Sequence, residues 1–182
     1  MLKKFTLFFL WVTVPGFSQC FDEFSLRSSG YHVVSIKSDG TLWGWGYSSF
    51  GQLGNTNMTN PIPFQLSTDT DWHKTFAGVA NAFFIKDNGT LWGMGNSEFG
   101  LLGNGSTTQV NPILQQIGTA TNWKKISAST DMTIGLKTDG TIWGWGQNDQ
   151  YEMGNNTCCA NQLTPIQIGT ANHWVDVETS LG

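Results

Sequence analysis

Histidine is the side chain best suited to acid–base chemistry near neutral pH, and this chain has three, His32, His73 and His173. A catalytic base needs a nucleophile or a second acid within hydrogen-bond reach. His73 and His173 flank Trp72 and Trp174 at different offsets, and no convergent set of nucleophile, base and acid accompanies any of the three. The sequence therefore predicts no catalytic residues, and we expect that the protein is not an enzyme.

Asp69 and Asp71 are the carboxylate pair that comes closest to a calcium site. Calcium takes roughly 6 to 8 oxygen ligands, usually from a glycine-bearing loop with a distal carboxylate. Residues 67–72 read STDTDW and offer only this pair. We interpret both residues as turn formers, and the sequence predicts neither a metal ion nor another cofactor.

The three cysteines, Cys20, Cys158 and Cys159, cannot all pair with one another. A bridge between the adjacent Cys158 and Cys159 would be strained. We therefore expect that one of these two cysteines is linked to Cys20 or that both are free. A metal site needs more ligands at defined spacing than this pair provides, so we interpret them as loop residues.

The composition argues against a nucleic-acid partner and favours a β-rich fold. The formal net charge is −4, only 12% of the residues are charged, and the lysines form no basic run. Nucleic-acid binders need clustered Lys and Arg to displace counterions from phosphates. With 22 Gly and 9 Trp, the balance is typical of strands and tight turns rather than of helices.

Residues 1–18 have the order of a secretory signal peptide. Lys3 and Lys4 precede an apolar stretch at 5–14, and Gly16 and Ser18 are small residues at the −3 and −1 positions of a cleavage site. The apolar stretch is shorter than the roughly 20 residues that span a membrane, so the sequence predicts no membrane span.

The mature chain is then expected to begin near Gln19 and to be extracytoplasmic, either secreted or at the cell surface. Cys20 offers an alternative, attachment of a lipid to its side chain. Gln19 is a poor residue directly before a lipidated cysteine, so anchoring at Cys20 is the less favoured alternative.

An internal repeat of about 50 residues organises the chain. A Trp-Gly segment recurs at residues 38–46 (SDGTLWGWG), 87–95 (DNGTLWGMG) and 138–146 (TDGTIWGWG). A second landmark follows at 50–55 (FGQLGN), 99–104 (FGLLGN) and 151–155 (YEMGN), and Trp72, Trp123 and Trp174 each begin a new unit. The approximate units are 23–71, 72–122, 123–173 and a partial 174–182.

Each repeat predicts a β-hairpin around its Asp-Gly or Asn-Gly pair. Aliphatic, aromatic and β-branched runs at 33–37, 83–86 and 133–137 end at this pair, and a second run starts after it. The pair suits a two-residue type I′ turn, in which both central residues take positive φ. The residues predicted to hold the repeated structure are Asp39, Gly40, Trp43, Gly89, Trp92, Gly140 and Trp143.

This pattern resembles the regulator-of-chromosome-condensation repeat, whose order is Gly, His, an apolar run, Asp-Gly, an apolar-Trp-x-Trp-Gly strand and a Gly-Gln-Leu-Gly turn. The first copy matches at Gly30, His32, Asp39, Gly40, Trp43, Trp45, Gly46, Gly51, Gln52, Leu53 and Gly54. The later copies depart from the pattern. Asn81 and Met132 replace His32, Met94 replaces Trp45, and Tyr151 replaces Gly51.

The resemblance implies a β-propeller, seven-bladed in the family, with four antiparallel strands in each blade and a structural role for His32. At about 50 residues per blade, the chain holds three full repeats and the start of a fourth, whereas propellers usually have roughly 4 to 8 blades. We therefore predict an all-β, incomplete propeller whose open blade edges invite self-association.

Members of this family act as exchange factors for a small GTPase, as chromatin binders, as interaction modules or, when bacterial and secreted, as β-lactamase inhibitors. The predicted export and the acidic charge argue against the nuclear roles. We therefore expect a secreted, non-enzymatic module that binds a protein partner. The alternatives are a structural spacer in a larger cell-surface protein and, less favoured, exchange activity towards a GTPase or an enzyme built on the propeller.

The loops after each Trp-Gly segment are the predicted partner-binding surface, because function in repeat proteins usually lies on variable loops. Their residues are Tyr47, Ser48, Ser49 and Phe50, then Asn96, Ser97, Glu98 and Phe99, and finally Gln147, Asn148, Asp149 and Tyr151. Phe50 and Phe99 recur with the repeat, which also fits a role in pinning the turn.

Overall fold

The computed structural model describes residues 27–29 and 31–180 and shows an all-β protein with twelve strands. The predicted signal peptide, Cys20 and Gly30 lie outside these residues. The strands are β1 (Arg27–Ser29), β2 (His32–Ile36), β3 (Leu42–Gly46), β4 (Asn60–Ser67), β5 (Trp72–Ala77), β6 (Asn81–Lys86), β7 (Leu91–Gly95), β8 (Gln115–Gln116), β9 (Trp123–Ala128), β10 (Met132–Lys137), β11 (Ile142–Gly146) and β12 (Gln162–Gln167).

The strands form three separate four-stranded antiparallel sheets, each with its strands in chain order. We call them blade 1 (β1–β4), blade 2 (β5–β8) and blade 3 (β9–β12). The first strands of neighbouring blades contact one another, β1 with β5 and β5 with β9. This arrangement confirms the predicted incomplete propeller. In the described part of the chain, no helix has the length and apolarity needed to cross a membrane.

The hairpin turns differ from the predicted type I′ turn. Between β2 and β3 the amide of Lys37 donates to the Thr41 carbonyl at 3.0 Å, so that three residues lie in the turn. Gly40 has φ 81, but Asp39 does not share a positive φ. The two-residue prediction was therefore wrong, because a single left-handed glycine at the third position closes the turn.

A repeated hydrogen-bond chain joins each turn to the tryptophan that follows it. The Asp39 carboxylate accepts bonds from the amide and the hydroxyl of Thr41, and the Trp43 indole donates to that hydroxyl at 2.8 Å. These bonds hold the pKa of Asp39 below its ordinary value. The equivalent chains are Asn88–Thr90–Trp92 and Asp139–Thr141–Trp143.

The described part of the chain has two apolar core clusters, one between each pair of neighbouring blades. Val34, Leu42 and Leu53 of blade 1 pack with Phe84 and Met94 of blade 2. The opposite face of blade 2 packs against blade 3, and that cluster contains Phe83, Ile85, Leu91, Leu102, Trp123 and Trp145. Successive residues of β6 therefore serve different clusters, as the alternation of side chains along a strand requires.

Residues 174–180 lie beside β9 without forming a strand of their own. The Trp174 amide donates to the Gly140 carbonyl at 3.1 Å, just as the Trp123 amide donates to Gly89. The Lys125 ammonium lies 2.6 Å from the Asp176 carboxylate. Trp123 is 4% exposed and Trp174 is 47% exposed. Trp174 thus begins a fourth repeat, and no sheet among residues 27–29 and 31–180 packs over its partly exposed indole.

Candidate protein-binding face

One end of the blades carries every loop in which partner binding was predicted. In each antiparallel sheet, the turn between the first and second strands and the long loop between the third and fourth strands lie at the same end. The long loops span residues 47–59, 96–114 and 147–161. We call this end, with its three long loops and the turns beside them, the loop face.

Each long loop is held from inside by buried polar side chains, one of which stands at the same repeat position in all three loops. The Ser48 hydroxyl donates to the Asn55 carbonyl at 2.7 Å and accepts the Leu53 amide at 2.9 Å. Asn148 makes the same kind of contacts with Thr157 and Met153. In the second loop Ser97 bonds to Asn104 and to the Ser106 carbonyl. These internal bonds give the loops a defined shape without a ligand.

The predicted loop residues therefore divide into internal and surface groups. Ser48, Asn96, Ser97 and Asn148 are buried. Tyr47, Ser49, Phe50, Glu98 and Gln147 are half-buried, and Asp149 is exposed. Phe99 is 40% exposed and Tyr151 58% exposed. The structure thus brings Phe99 and Tyr151 to the surface and places the small polar residues beneath it.

Exposed apolar side chains concentrate on and beside the loop face. Among the described residues, the large apolar side chains exposed there are Tyr31, Met58, Ile62, Phe99, Val110, Ile113 and Tyr151. Trp174 and Val175, in the last segment, are the other two exposed large apolar residues in that part of the chain. Aromatic and aliphatic side chains over a fixed backbone are typical of protein-recognition surfaces.

The third loop has three non-glycine residues with a left-handed backbone, whereas the second loop has one, Phe99, with φ 57. Tyr151, Asn156 and Cys159 have φ values of 64, 59 and 71, in the left-handed region that bulky residues rarely adopt. The structure also joins Cys158 to Cys159, so the expectation that they do not pair with each other was wrong. The bridge accompanies the left-handed backbone at Cys159, a conformation that the prediction did not take into account.

Burial or a charged neighbour accounts for the other histidines and carboxylates that were considered as catalytic or metal-binding residues. His32 is 1% exposed, and burial lowers its pKa from 6.5 to about 4. His73 lies 3.6 Å from Asp87, both of them largely exposed. Asp69 and Asp71 lie 2.8 and 2.9 Å from the Lys86 ammonium, so this carboxylate pair holds a lysine. Within residues 27–29 and 31–180, no cluster of His, Cys, Asp and Glu could hold a metal ion.

Sequence reasoning missed the role of the lysine that ends, or in blade 1 directly follows, the second strand of each blade. The ammonium of Lys37 lies 3.3 Å from the ring centroid of Trp43, and that of Lys137 lies 3.5 Å from Trp143. Lys86 lies over Trp92 in the same way, at 5.2 Å. The signal was present, because a Lys precedes the turn in all three copies. These cations stack on aromatic faces, where they stabilise the blade.

Two models of known families match this chain, and both describe the same repeat. A model for the regulator of chromosome condensation (RCC1) repeat matches residues 39–85 and 139–180. A second model with the same description matches residues 25–52 and 123–152. Together the matched residues include parts of blade 1, blade 2 and blade 3.

Two proteins of Arabidopsis thaliana are similar in sequence. The Ultraviolet-B receptor UVR8 is 27% identical over 93% of this chain and 40% of UVR8. The mitochondrial RCC1 domain-containing protein RUG3 is 28% identical over 79% of this chain and 35% of RUG3. The chain thus spans about two fifths of the length of the curated relatives that it matches.

Solved structures show the same fold. Yeast RCC1 (Prp20), bound to Kap60, superposes with a TM-score of 0.76 over 92% of this chain and 42% of Prp20, at 17% identity. Human WBSCR16 has a TM-score of 0.72 over 85% of this chain and 41% of its own length, at 19% identity. At such identities the likeness concerns the fold alone.

Proposed function

Because the chain belongs to the regulator of chromosome condensation (RCC1) repeat family, we propose that it is a secreted, non-enzymatic module that binds another protein through its loop face. The observation that carries the proposal is the set of exposed apolar side chains on loops held by their own hydrogen bonds. A preorganised surface loses little conformational entropy when a partner binds.

Protein binding is also what is described for structural neighbours. Yeast Prp20 has been crystallised with Kap60 bound, and a second study of Prp20 from Saccharomyces cerevisiae describes its binding properties to Gsp1p and histones. Those partners belong to Prp20. For this chain, the acidic charge and the predicted signal peptide favour an extracytoplasmic protein as the partner.

A co-purification experiment tests the loop face. The tagged chain is incubated with extracellular proteins of its source and compared with a variant that carries both Phe99→Ser and Tyr151→Ser. Val175→Ser is the matched control, because Val175 is 79% exposed but lies away from the loop face. We expect a partner that the unaltered chain and the control retain and the double variant loses. Identical partner sets for all three proteins would contradict the proposal.

Export is tested separately, by expressing the full chain in a secreting host and sequencing the amino terminus of the extracellular product. We expect cleavage after Ser18, so that the product begins near Gln19. Retention of an uncleaved chain inside the cell would refute the secreted location without affecting the loop-face experiment.

A further inference from the structure

A groove lies between blade 2 and blade 3, at the end of the sheets opposite the loop face. Its volume is about 240 Å³, and it is formed by the crossover that joins β8 to β9 together with residues of blade 3. Ile117 and Ala120 of the crossover line it, as do Lys137, Trp143 and Pro165 of blade 3. We call it the crossover groove.

Lys137 is the charged side chain of the crossover groove. It is 7% exposed, and its ammonium lies 3.5 Å from the ring centroid of Trp143 and 4.8 Å from that of Trp123. A lysine ammonium has three N–H donors. Within residues 27–29 and 31–180, no oxygen accepts a hydrogen bond from Lys137 and no carboxylate forms an ion pair with it.

The acidic residue nearest to Lys137 in the sequence, Asp139, is engaged elsewhere. Its Oδ1 atom accepts bonds from the Thr141 amide at 3.0 Å and from the Thr141 hydroxyl at 2.6 Å. Its Oδ2 atom accepts a bond from the Asn122 amide at 3.0 Å. Burial lowers the pKa of Lys137 below its ordinary value, although Asp139 attracts the ammonium from a distance. The charge of Lys137 is therefore only weakly compensated.

The equivalent lysine of blade 2 shows which group such an ammonium binds. Lys86 lies 4.8 Å from the ring centroid of Trp72 and 5.2 Å from that of Trp92, the same two aromatic positions of the repeat. The carboxylates of Asp69 and Asp71, in the crossover before β5, lie 2.8 and 2.9 Å from this ammonium. Burial opposes the charge of Lys86, yet these two carboxylates raise its pKa above its ordinary value.

The crossover before blade 3 does not supply this carboxylate pair. Ala120 and Asn122 occupy the repeat positions of Asp69 and Asp71. Aromatic faces stabilise a cation, but a charge-assisted hydrogen bond to an anion is stronger. Beside Lys137, the methyl group of Ala120 thus stands where blade 2 has an aspartate that holds the lysine.

We propose that the crossover groove binds a small organic carboxylate. The carboxylate bonds to the ammonium of Lys137, and the apolar part of the ligand packs against Ile117 and Pro165. Sites for drug-sized ligands have volumes of roughly 300 to 1,000 Å³, so a groove of about 240 Å³ suits a smaller molecule. The groove lies away from the loop face, and its occupation does not depend on a protein partner.

A nuclear magnetic resonance titration of the isotope-labelled full chain with phenylacetate tests the proposal. Phenylacetate combines one carboxylate with one aromatic ring, and phenylacetamide is the neutral control ligand of nearly the same shape. We expect saturable shifts of the Trp143 indole N–H signal, because this ring lines the groove. The dissociation constant of phenylacetate should be at least about tenfold lower than that of phenylacetamide.

Three variants assign the interaction to the groove. Lys137→Met keeps an apolar side chain without the charge, and it should weaken phenylacetate binding at least about tenfold while phenylacetamide binding stays the same. Ala120→Asp introduces the residue that blade 2 has at this position, so its carboxylate should occupy Lys137 and weaken phenylacetate binding by a similar factor. Ala120→Asn is the matched control, similar in size but neutral, and should bind phenylacetate within about twofold of the unaltered chain.

Several outcomes would overturn the proposal. One is the absence of saturable phenylacetate binding, and another is equal affinity for phenylacetate and phenylacetamide. Equal phenylacetate binding by Ala120→Asp and Ala120→Asn would place the carboxylate away from Lys137. Thermal unfolding shows whether each variant is folded. If Lys137→Met does not fold, the comparison of the two Ala120 variants decides the question.

Discussion

At the scale of one residue, His32 shows how burial keeps an imidazole uncharged at neutral pH. Its ring lies at the start of β2, opposite Gly46 on β3, where water is excluded. Removing an imidazole from water disfavours its charged form, and the pKa of His32 accordingly falls to about 4. At neutral pH the ring is an uncharged packing element, and the second repeat places Asn81 in the same position.

This burial predicts that acid destabilises the fold through His32. The unfolded chain takes up the proton at its ordinary pKa of 6.5, whereas the folded chain resists it down to about 4. Protonation of His32 therefore has little effect on the free energy of unfolding above pH 6.5, and it lowers this free energy by about 3 kcal/mol as the pH drops to 4. Urea unfolding at several pH values should show a smaller loss for His32→Asn than for the unaltered chain.

His173→Asn provides the matched control, because His173 is exposed. The pH dependence of unfolding of this variant should equal that of the unaltered chain. If His32→Asn and the unaltered chain lose stability in parallel between pH 7 and pH 4, the assignment to His32 is wrong.

At the scale of the element, the sequence predicted the position of each hairpin turn correctly but not the type of turn. The Asp-Gly and Asn-Gly pairs located all three turns, because these residues tolerate turn backbones better than others do. The pairs do not reveal that the turn has three residues, since that depends on the bond between the Lys37 amide and the Thr41 carbonyl. Long-range packing of Gly40 against Thr70, in the next crossover, also lies beyond local sequence.

The turn glycine yields a prediction for the second blade. Gly89 has φ 76, and a Cβ atom on it would collide with the Thr121 carbonyl. The Gly89→Ala variant is therefore destabilised both by its backbone conformation and by this overlap. Gly118 has φ 63 but nothing within 4 Å of a Cβ atom. We expect Gly89→Ala to lower the free energy of unfolding by roughly 2 kcal/mol more than Gly118→Ala does.

Chemical denaturation of the two alanine variants under identical conditions measures this difference. Because both positions are left-handed, the comparison isolates the steric overlap. Equal losses would mean that the crossover moves aside without cost, and that the turn does not depend on its contact with Thr121.

At the scale of the whole molecule, repetition made the blades predictable and the open faces less so. Equivalent tryptophans identified the units, and their spacing predicted three blades with the beginning of a fourth. The candidate site was only partly foreseen. The loops were identified as variable, but which of their residues are buried follows from hydrogen bonds such as that from Leu53 to Ser48, which no pattern of residue types displays. The pairing of Cys158 with Cys159 likewise required the loop backbone.

Replacing the tryptophan that begins a unit tests whether packing between neighbouring blades stabilises the fold. Trp123 is 4% exposed in the cluster between blade 2 and blade 3, whereas Trp174 is 47% exposed. Trp123→Ala should lower the free energy of unfolding by roughly 3 to 5 kcal/mol, and Trp174→Ala by less than about 1 kcal/mol. Thermal and urea unfolding of both variants provide the comparison.

Comparable losses for the two variants would contradict the view that residues 174–180 lie at an uncovered edge. They would mean instead that Trp174 is packed as fully in solution as Trp123.

The internal bonds of the long loops have a consequence for how the protein changes over generations. Ser48, Ser97 and Asn148 each bond only within their own loop, so the outward residues of a loop can change while its internal bonds persist. Substitutions at outward positions such as Phe99 and Tyr151 can therefore change the surface that meets a partner, while the buried polar side chains keep the loop in the same shape.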